Sequence, residues 1–386
     1  MHSAGQIATP TDRAGMAPAR GGHVRAFVHH DIDPSLAVDW VALAGDASEA
    51  NAFAEYWFVA ASLAAFDSAR RVRFIEVRRG STLIGVLPVA EECGYARMPL
   101  RFLQGWWHNQ MFLCTPLMRA GEETTFWTAA LDLLDRAAWA PGFLHLRGIV
   151  EDGPVHRGLL AVRHASIVHR RTRALLASDL DPEAYYEQAV RAKKRKEIRR
   201  LQNRLAELGE VRARALTDGA ELPDWTHAFL ALEKAGWKGK EGTALACAPE
   251  TESFFFNVLA EAWDAGRLQF LRLDLDGRPI AMLVNFLTAP GAFSFKTTFD
   301  EDFARFSPGV LIQIENLNVL KRPDIAWMDS CAMDNHPMID SFWTERREIV
   351  RLTVRLGGIR RTAFYLAARA AETGWAAFRR LLGTRS

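Results

Sequence analysis

From position 293 to 300 the chain sets Ser294, Lys296, Thr298 and Asp300 at every second residue, against Phe293, Phe295 and Phe299. At strand spacing the polar groups share one face. If that face lines a cleft, Lys296 can orient a donor or an acceptor and Asp300 can hold an amine or hydroxyl; the same pattern also fits a strand face turned to solvent. Five residues on, Arg305-Phe306-Ser307-Pro308-Gly309-Val310 reads as a loop entering a helix, with Ser307 as N-cap and Pro308 at the first helical position. No carboxylate occupies that first turn before Glu315. Its backbone N–H groups and the positive end of the helix dipole suit a pyrophosphate, or belong to an ordinary capped helix.

Asp329 closes an apolar run at 325–331, where a buried carboxylate with raised proton affinity makes the first candidate for a general base. His336 is the second candidate, by its intrinsic pKa. Trp237 and Lys238 lie in the phrase Gly236-Trp237-Lys238-Gly239, whose glycines let backbone approach a ligand closely. Lys238 there reads as a phosphate or carboxylate binder, or as a surface lysine beside a buried Trp237. Neither a Ser-His-Asp order nor a Gly-x-Ser-x-Gly elbow occurs, which argues against a covalent intermediate.

The elements that must position these residues come in two copies of one plan. Asp39-Trp40 precedes a helix at 51–66 and a hairpin of strands 73–77 and 82–89 turning at Gly80. Asp224-Trp225 precedes a helix at 251–265 and a hairpin of strands 268–275 and 279–287 turning at Asp276-Gly277. Each hairpin is followed by an apolar strand, a loop, a helix and a further strand: 122–139 then 143–150, against 310–320 then 325–331. This predicts a tandem duplication of an α+β unit. The first copy enters its helix through Gly121-Glu122-Glu123, whose carboxylates answer the dipole themselves and repel phosphate, so any cofactor is expected in the second.

At 386 residues, 49% hydrophobic and 24% charged, the composition is that of a soluble chain of about two domains. The expected division is a disordered leader at 1–22, a degenerate first unit at 23–175, a second unit at 176–345 with a helical insertion at 186–208, and a basic helical tail at 346–386. Cys93, Cys114, Cys247 and Cys331 lie far apart, without metal-ligand spacing, which predicts no metal site and a reducing, cytoplasmic setting. The uncharged stretch 102–118 carries Gln104, His108, Asn109 and Pro116 and reads as a buried strand pair rather than a membrane helix.

Net charge is +2, yet residues 346–386 hold ten arginines against two glutamates, a local +8. With Phe364, Tyr365, Leu366, Trp375, Phe378 and Leu381, the tail fits an interfacial helix on anionic lipid, or one docked on the protein's own body. The run 191–204 carries eight Lys or Arg against Glu197, with apolar residues at helical spacing. Its cationic side is a solvated face or a surface for an anionic partner, tRNA included, and nothing in the pattern points to DNA.

The order strand, loop, helix N-terminus and strand after a meandering hairpin resembles the GNAT acyltransferase fold. Gly236-Trp237-Lys238-Gly239, Gly242-Thr243-Ala244-Leu245, Phe299-Asp300-Glu301 and Ser307-Pro308-Gly309 bring the resemblance closer to the BioF2-like, or cellulose-biosynthesis-associated, acetyltransferases, which are similar to the Fem-type tandem-GNAT aminoacyl ligases. It is strongest over 191–343 and fainter over 40–150. The resemblance implies a cytoplasmic enzyme, at most peripheral to the membrane, that uses acyl-CoA, acetyl-CoA first, without a metal. It places the pyrophosphate at Arg305, Ser307, Gly309 and Val310, the catalytic groups at Asp329 or His336 as base with Lys296 orienting donor or acceptor, and an acceptor near Trp237, Lys238 and Asp300. The implied acceptor is a small molecule or glycan, an envelope or exopolysaccharide precursor of a bacterium. Pro308 and Val310 stand where the GNAT phosphate loop has small residues. Two further readings therefore stand beside it: Fem-type transfer from aminoacyl-tRNA to a cell-wall precursor, and a non-catalytic assembly factor of the same fold.

Overall fold

Two tight turns set the frame. Asp276 and Gly277 both take left-handed backbone, with φ of 49° and 80°, as a two-residue hairpin loop requires. They join Leu268–Leu275 to Arg278–Thr288, while Gly80, at φ 59°, turns Arg73–Arg79 into Thr82–Cys93. The structure is a computed structural model that describes residues 22–381, with side chains to residue 374. The expected leader lies outside the described residues except for Gly22.

Numbered along the chain, the strands are β1 (Val24–His29), β2 (Arg73–Arg79), β3 (Thr82–Cys93), β4 (Arg101–Gly105), β5 (Leu117–Met118), β6 (Phe143–Val150), β7 (Ala165–Leu176), β8 (Val211–Ala215), β9 (Leu268–Leu275), β10 (Arg278–Thr288), β11 (Gly291–Phe299), β12 (Trp327–Asp329) and β13 (Glu345–Arg355). They form one sheet in the order β1-β2-β3-β4-β6-β13-β7-β12-β11-β10-β9-β8, with β5 beside β3. Each half is a mainly antiparallel meander closed by one parallel pair, β4 with β6 and β11 with β12, and a helix links the members of each pair: Glu123–Arg136 and Pro308–Asn316. The α+β tandem architecture expected from the sequence is what the chain adopts.

At the middle the halves exchange strands. β7 follows the first half and pairs with β12 of the second; β13 follows the second half and pairs with β6 of the first. The two exchanged strands also pair with each other along their length. Residues 346–386 are therefore not a helical tail throughout. Buried Ile349, Val350, Leu352 and Val354 make 345–355 a central strand, and only Ile359–Leu381 is helix. The arginines of that strand had swelled the charge of the apparent tail.

The helix docks on the protein's own body over its described side chains. Ala368 is fully buried, the Arg361 guanidinium donates to the carbonyls of Leu134 and Asp135, and the Tyr365 hydroxyl lies 2.8 Å from Ser166 Oγ. Phe364 and Leu366 stay exposed. The basic run forms Ala192–Ala206, which buries Ile198 and Leu205 and turns Lys193, Lys196, Arg199 and Arg204 outward. Among the described residues no helix is long and apolar enough to cross a membrane.

An aromatic core joins the halves. Phe53, Trp57 and Phe58 from the first pack against Phe254, Phe286, Phe293 and Phe295 from the second. Glu55 sits buried at this seam and takes hydrogen bonds from Trp57 Nε1 at 2.8 Å and Arg267 Nε at 3.0 Å, and one from the Thr288 hydroxyl. A buried carboxylate needs such partners, and two of its three come from the second half.

Candidate active site

The parallel pairing of β11 with β12 ends early. Gly291, Ala292 and Phe293 face Trp327, Met328 and Asp329, and then Cys331 turns away in left-handed backbone at φ 53°. Beyond Phe293 no strand among the described residues pairs with that edge of β11. Its N–H and C=O groups form an open row that an extended chain can join by main-chain hydrogen bonds.

A bulge then redirects the side chains. Lys296 stands opposite Val284 and Ser294 opposite Asn285, so Phe295 is one residue too many for its partner strand. Residues directly opposite share a face. Lys296 and Thr298 thus join Phe293, Phe295 and Val284 on the side of helices Leu222–Ala235 and Pro249–Asp264, while Thr297 and Asn285 face helix Pro308–Asn316, bonding Gln313 at 3.4 Å and Asn316 at 2.7 Å. The expected polar row of Ser294, Lys296, Thr298 and Asp300 is split by this bulge. Asp300 instead caps the turn Glu301–Phe306, accepting from Asp302 N–H at 3.0 Å, and pairs with Arg278.

Lys296 is half-buried, its ammonium 5.5 Å from the ring centres of both Phe112 and Phe295, with no hydrogen bond to any described residue. Burial first, then the charge of Lys238, pull its proton affinity down to about 8 against the opposing charge of Glu233. The lysine is therefore partly neutral near physiological pH, as a proton acceptor must be. Lys238, whose charge acts on Lys296, is ion-paired with Glu233 at 2.7 Å. Trp237 is 52% exposed rather than buried, its N–H held by the Glu301 carboxylate.

Part of this environment comes from the other half. The loop at 106–114 leaves β4 and lays Phe112 on Lys296, and its His108 stacks among Phe58, Phe66 and Phe254. Burial, with the Lys296 charge adding, holds His108 neutral, pulled down to about 3. Its Nδ1 accepts from Gln110 N–H at 3.3 Å, which puts the proton on Nε2, where no partner lies. The sequence showed His108 and Phe112 only as interruptions of an uncharged stretch. The expected strand pair there is β4 and β5, but both pair with β3 and not with each other.

At the start of helix Pro308–Asn316, Ser307 is left-handed (φ 55°) and makes no side-chain cap. Pro308 has no N–H, and those of Val310 and Leu311 turn back onto the Ser307 carbonyl at 2.9 and 3.2 Å. The helix start is thus narrower than the sequence implied: Gly309 N–H alone is left without an acceptor among the described residues. Beside it Arg305 is exposed, stacked on Phe306 and without an ion pair to any described residue. Together they make one directed donor and one exposed cation, a setting suited to a phosphate.

The two expected bases are placed otherwise. Asp329 is 0% exposed, with Arg173 at 3.1 Å from one oxygen, Arg347 at 3.1 Å from the other, and Cys331 N–H donating at 2.8 Å. A carboxylate so enclosed cannot reach an acceptor, and it serves as an anchor for the exchanged strands that carry both arginines. His336 accepts from Ile339 N–H at 3.3 Å and holds the turn Ile339–Ser341. Among the described residues no group of three or more His, Cys, Asp or Glu is placed to hold a metal.

In the first unit the equivalent gap is closed. Cys114 N–H bonds the Gly148 carbonyl at 3.0 Å, so the loop fills the space where β4 and β6 part. At the helix start Glu122 pairs with Arg79 at 2.7 Å, leaving no room for a phosphate.

This arrangement, a parallel pair that parts beside a bulged strand and a helix N-terminus, is that of a GNAT-type acyltransferase. Residues 192–336 match the acetyltransferase (GNAT) domain family, which makes the second half of the chain a GNAT-type acyltransferase domain. The whole fold is similar to that of FemX, with a TM-score of 0.58 at 10% identity over 86% of this chain and 98% of FemX. It is also similar to a conserved protein of unknown function from Bacteroides thetaiotaomicron, with a TM-score of 0.52 at 11% identity over 82% and 97% of the two chains. No curated protein matches the chain in sequence.

Proposed function

We propose that the protein moves an acyl group, acetyl in the first instance, from CoA to an amine or hydroxyl of an envelope or exopolysaccharide precursor, at the second unit. The observation that carries this reading is Lys296, a lysine of lowered proton affinity beside an unpaired strand edge. The pantetheine arm would lie along the β11 edge, and the pyrophosphate at Gly309 N–H and Arg305. The acceptor would enter from the side of Trp237 and Lys238. Its nitrogen or oxygen attacks the thioester carbonyl as Lys296 takes the proton, the C–S bond breaks, and the thiolate leaves to be protonated as free CoA. Main-chain N–H groups of the open edge would steady the oxyanion. The acceptor class and the closer likeness to BioF2-like acetyltransferases belong to this proposal, as does a peripheral membrane contact through exposed Phe364 and Leu366.

Thermal unfolding with and without millimolar acetyl-CoA tests it. At a hundredfold excess over its dissociation constant a ligand stabilises by about 2.7 kcal/mol, and the expected upward shift should vanish in Gly309→Glu. A Cβ at Gly309 meets the Phe299 ring at 3.3 Å, so the variant is judged by its response to ligand and not by its own midpoint. No shift in the native chain would sink the acyl-CoA reading. Binding of aminoacyl-tRNA in its place would favour the Fem-type reading, for which the outward cationic face of Ala192–Ala206 is the supporting feature.

A further inference from the structure

Strand exchange gathers cations at the centre of the sheet. Arg147 comes from β6, Arg171 and Arg173 from β7, and Arg351 from β13, and all four line a pocket of about 200 Å³ with His169 and Asn109. No carboxylate of a described residue lines it. Arg173 is engaged by Asp329, and Arg171 has Asp334 at 3.8 Å. Arg147 and Arg351 have no carboxylate within salt-bridge range among the described residues. Arg147 stacks on Trp107 at 4.5 Å, and its buried Nε finds no hydrogen-bond partner; the same is true of Nε of Arg173.

A guanidinium does not shed its proton to escape such a setting. Burial lowers the proton affinity of Arg147 and of Arg351, and for Arg351 the charges of Arg147 and Arg171 add to it. Like charges on adjoining strands oppose pairing, and a multiply charged oxyanion is the ligand that turns this repulsion into binding, since each guanidinium fork can grip two of its oxygens. Phe112 lines the pocket and also carries Lys296 on its ring, so pocket and lysine share a wall.

We propose that this pocket binds a phosphate or phosphate-ester group of the acceptor and so presents the acceptor to Lys296. The placing at Lys296 rests on the acyl-transfer reading above, but the anion site itself does not. Its source is either a soluble phosphorylated precursor or a phospholipid headgroup.

The probe is inorganic pyrophosphate, added to the full chain and followed by thermal unfolding. It should raise the midpoint of the native chain and of Gly309→Glu, and in the Gly309→Glu background, where the donor site is closed, the rise should vanish on adding either Arg147→Gln/Arg351→Gln or Asn109→Asp. Without ligand, the double variant should melt above the native chain, because two uncompensated charges are gone. An equal response in all four proteins, or none in any, would overturn the site. Acetyl-CoA should still stabilise the double variant, so failure of the CoA reading and failure of the anion pocket are seen separately. Vesicles of phosphatidylglycerol and of phosphatidylcholine then divide the sources. Pelleting with the anionic lipid alone, lost in the double variant, assigns a headgroup; pyrophosphate binding without pelleting assigns a soluble phosphate ester.

Discussion

Lys296→Met should lose about 10²–10⁴ in acyl transfer, the usual worth of a general base, and yet melt above the native chain. The sign follows from linkage. The folded state holds the Lys296 proton less tightly than the unfolded state, about 8 against the ordinary lysine value of 10.5. The cost of burying its charge is therefore fully present below pH 8 and is relieved as pH rises from there towards 10.5. Discounted for partial exposure, its removal at pH 7 should return on the order of 1–2 kcal/mol, a gain that fades at high pH. The native rate should climb with pH and level off above about 8, as the neutral amine fills. Lys296→Arg keeps the charge, lacks a usable base and should be as inactive as the methionine variant. Free-thiol release from acetyl-CoA across a panel of amines and hydroxylated glycans, with melting curves over pH, reads both halves of this result. A Lys296→Met protein with native activity would remove the lysine from the mechanism.

Asp329→Ala should be the most destabilising single change at the site, by about 3–5 kcal/mol, since it leaves the buried Arg173 guanidinium and the half-buried one of Arg347 without their carboxylate. Those arginines sit on the exchanged strands β7 and β13, so the loss should loosen the centre of the sheet. Asp329→Asn, which keeps the shape and one acceptor, should cost less and leave the midpoint of the pH–rate profile where Lys296 sets it. Urea unfolding measures the first effect and the pH profile the second. A stable Asp329→Asn protein without activity would restore Asp329 as the base.

The duplicated plan was legible because its signals are local. Gly80 and Asp276-Gly277 mark the hairpins, and Pro308 marks the helix start, whatever the rest of the chain does. The exchange of β7 and β13 was not legible, since pairing partners more than 150 residues apart leave no trace in local periodicity. The same limit misplaced Lys296. Strict alternation set it with Ser294 and Asp300, whereas the bulge at Phe295 exists only in the register with β10. Asp329 looked like a base because neither Arg173 nor Arg347 stands near it in sequence. His108, Phe112 and the arginine pocket were missed for the same reason; the cluster Trp106-Trp107-His108 was the one local hint that the loop is buried against another element.

Hydrogen–deuterium exchange with and without acetyl-CoA tests most directly the claim that the second unit holds the acyl donor and the first does not. New protection is expected at residues 294–299 on the open edge of β11 and at 309–312 in the following helix, with the first unit's 101–105 and 122–126 unchanged. Protection at the first unit's helix start, or none at 294–299, would contradict it.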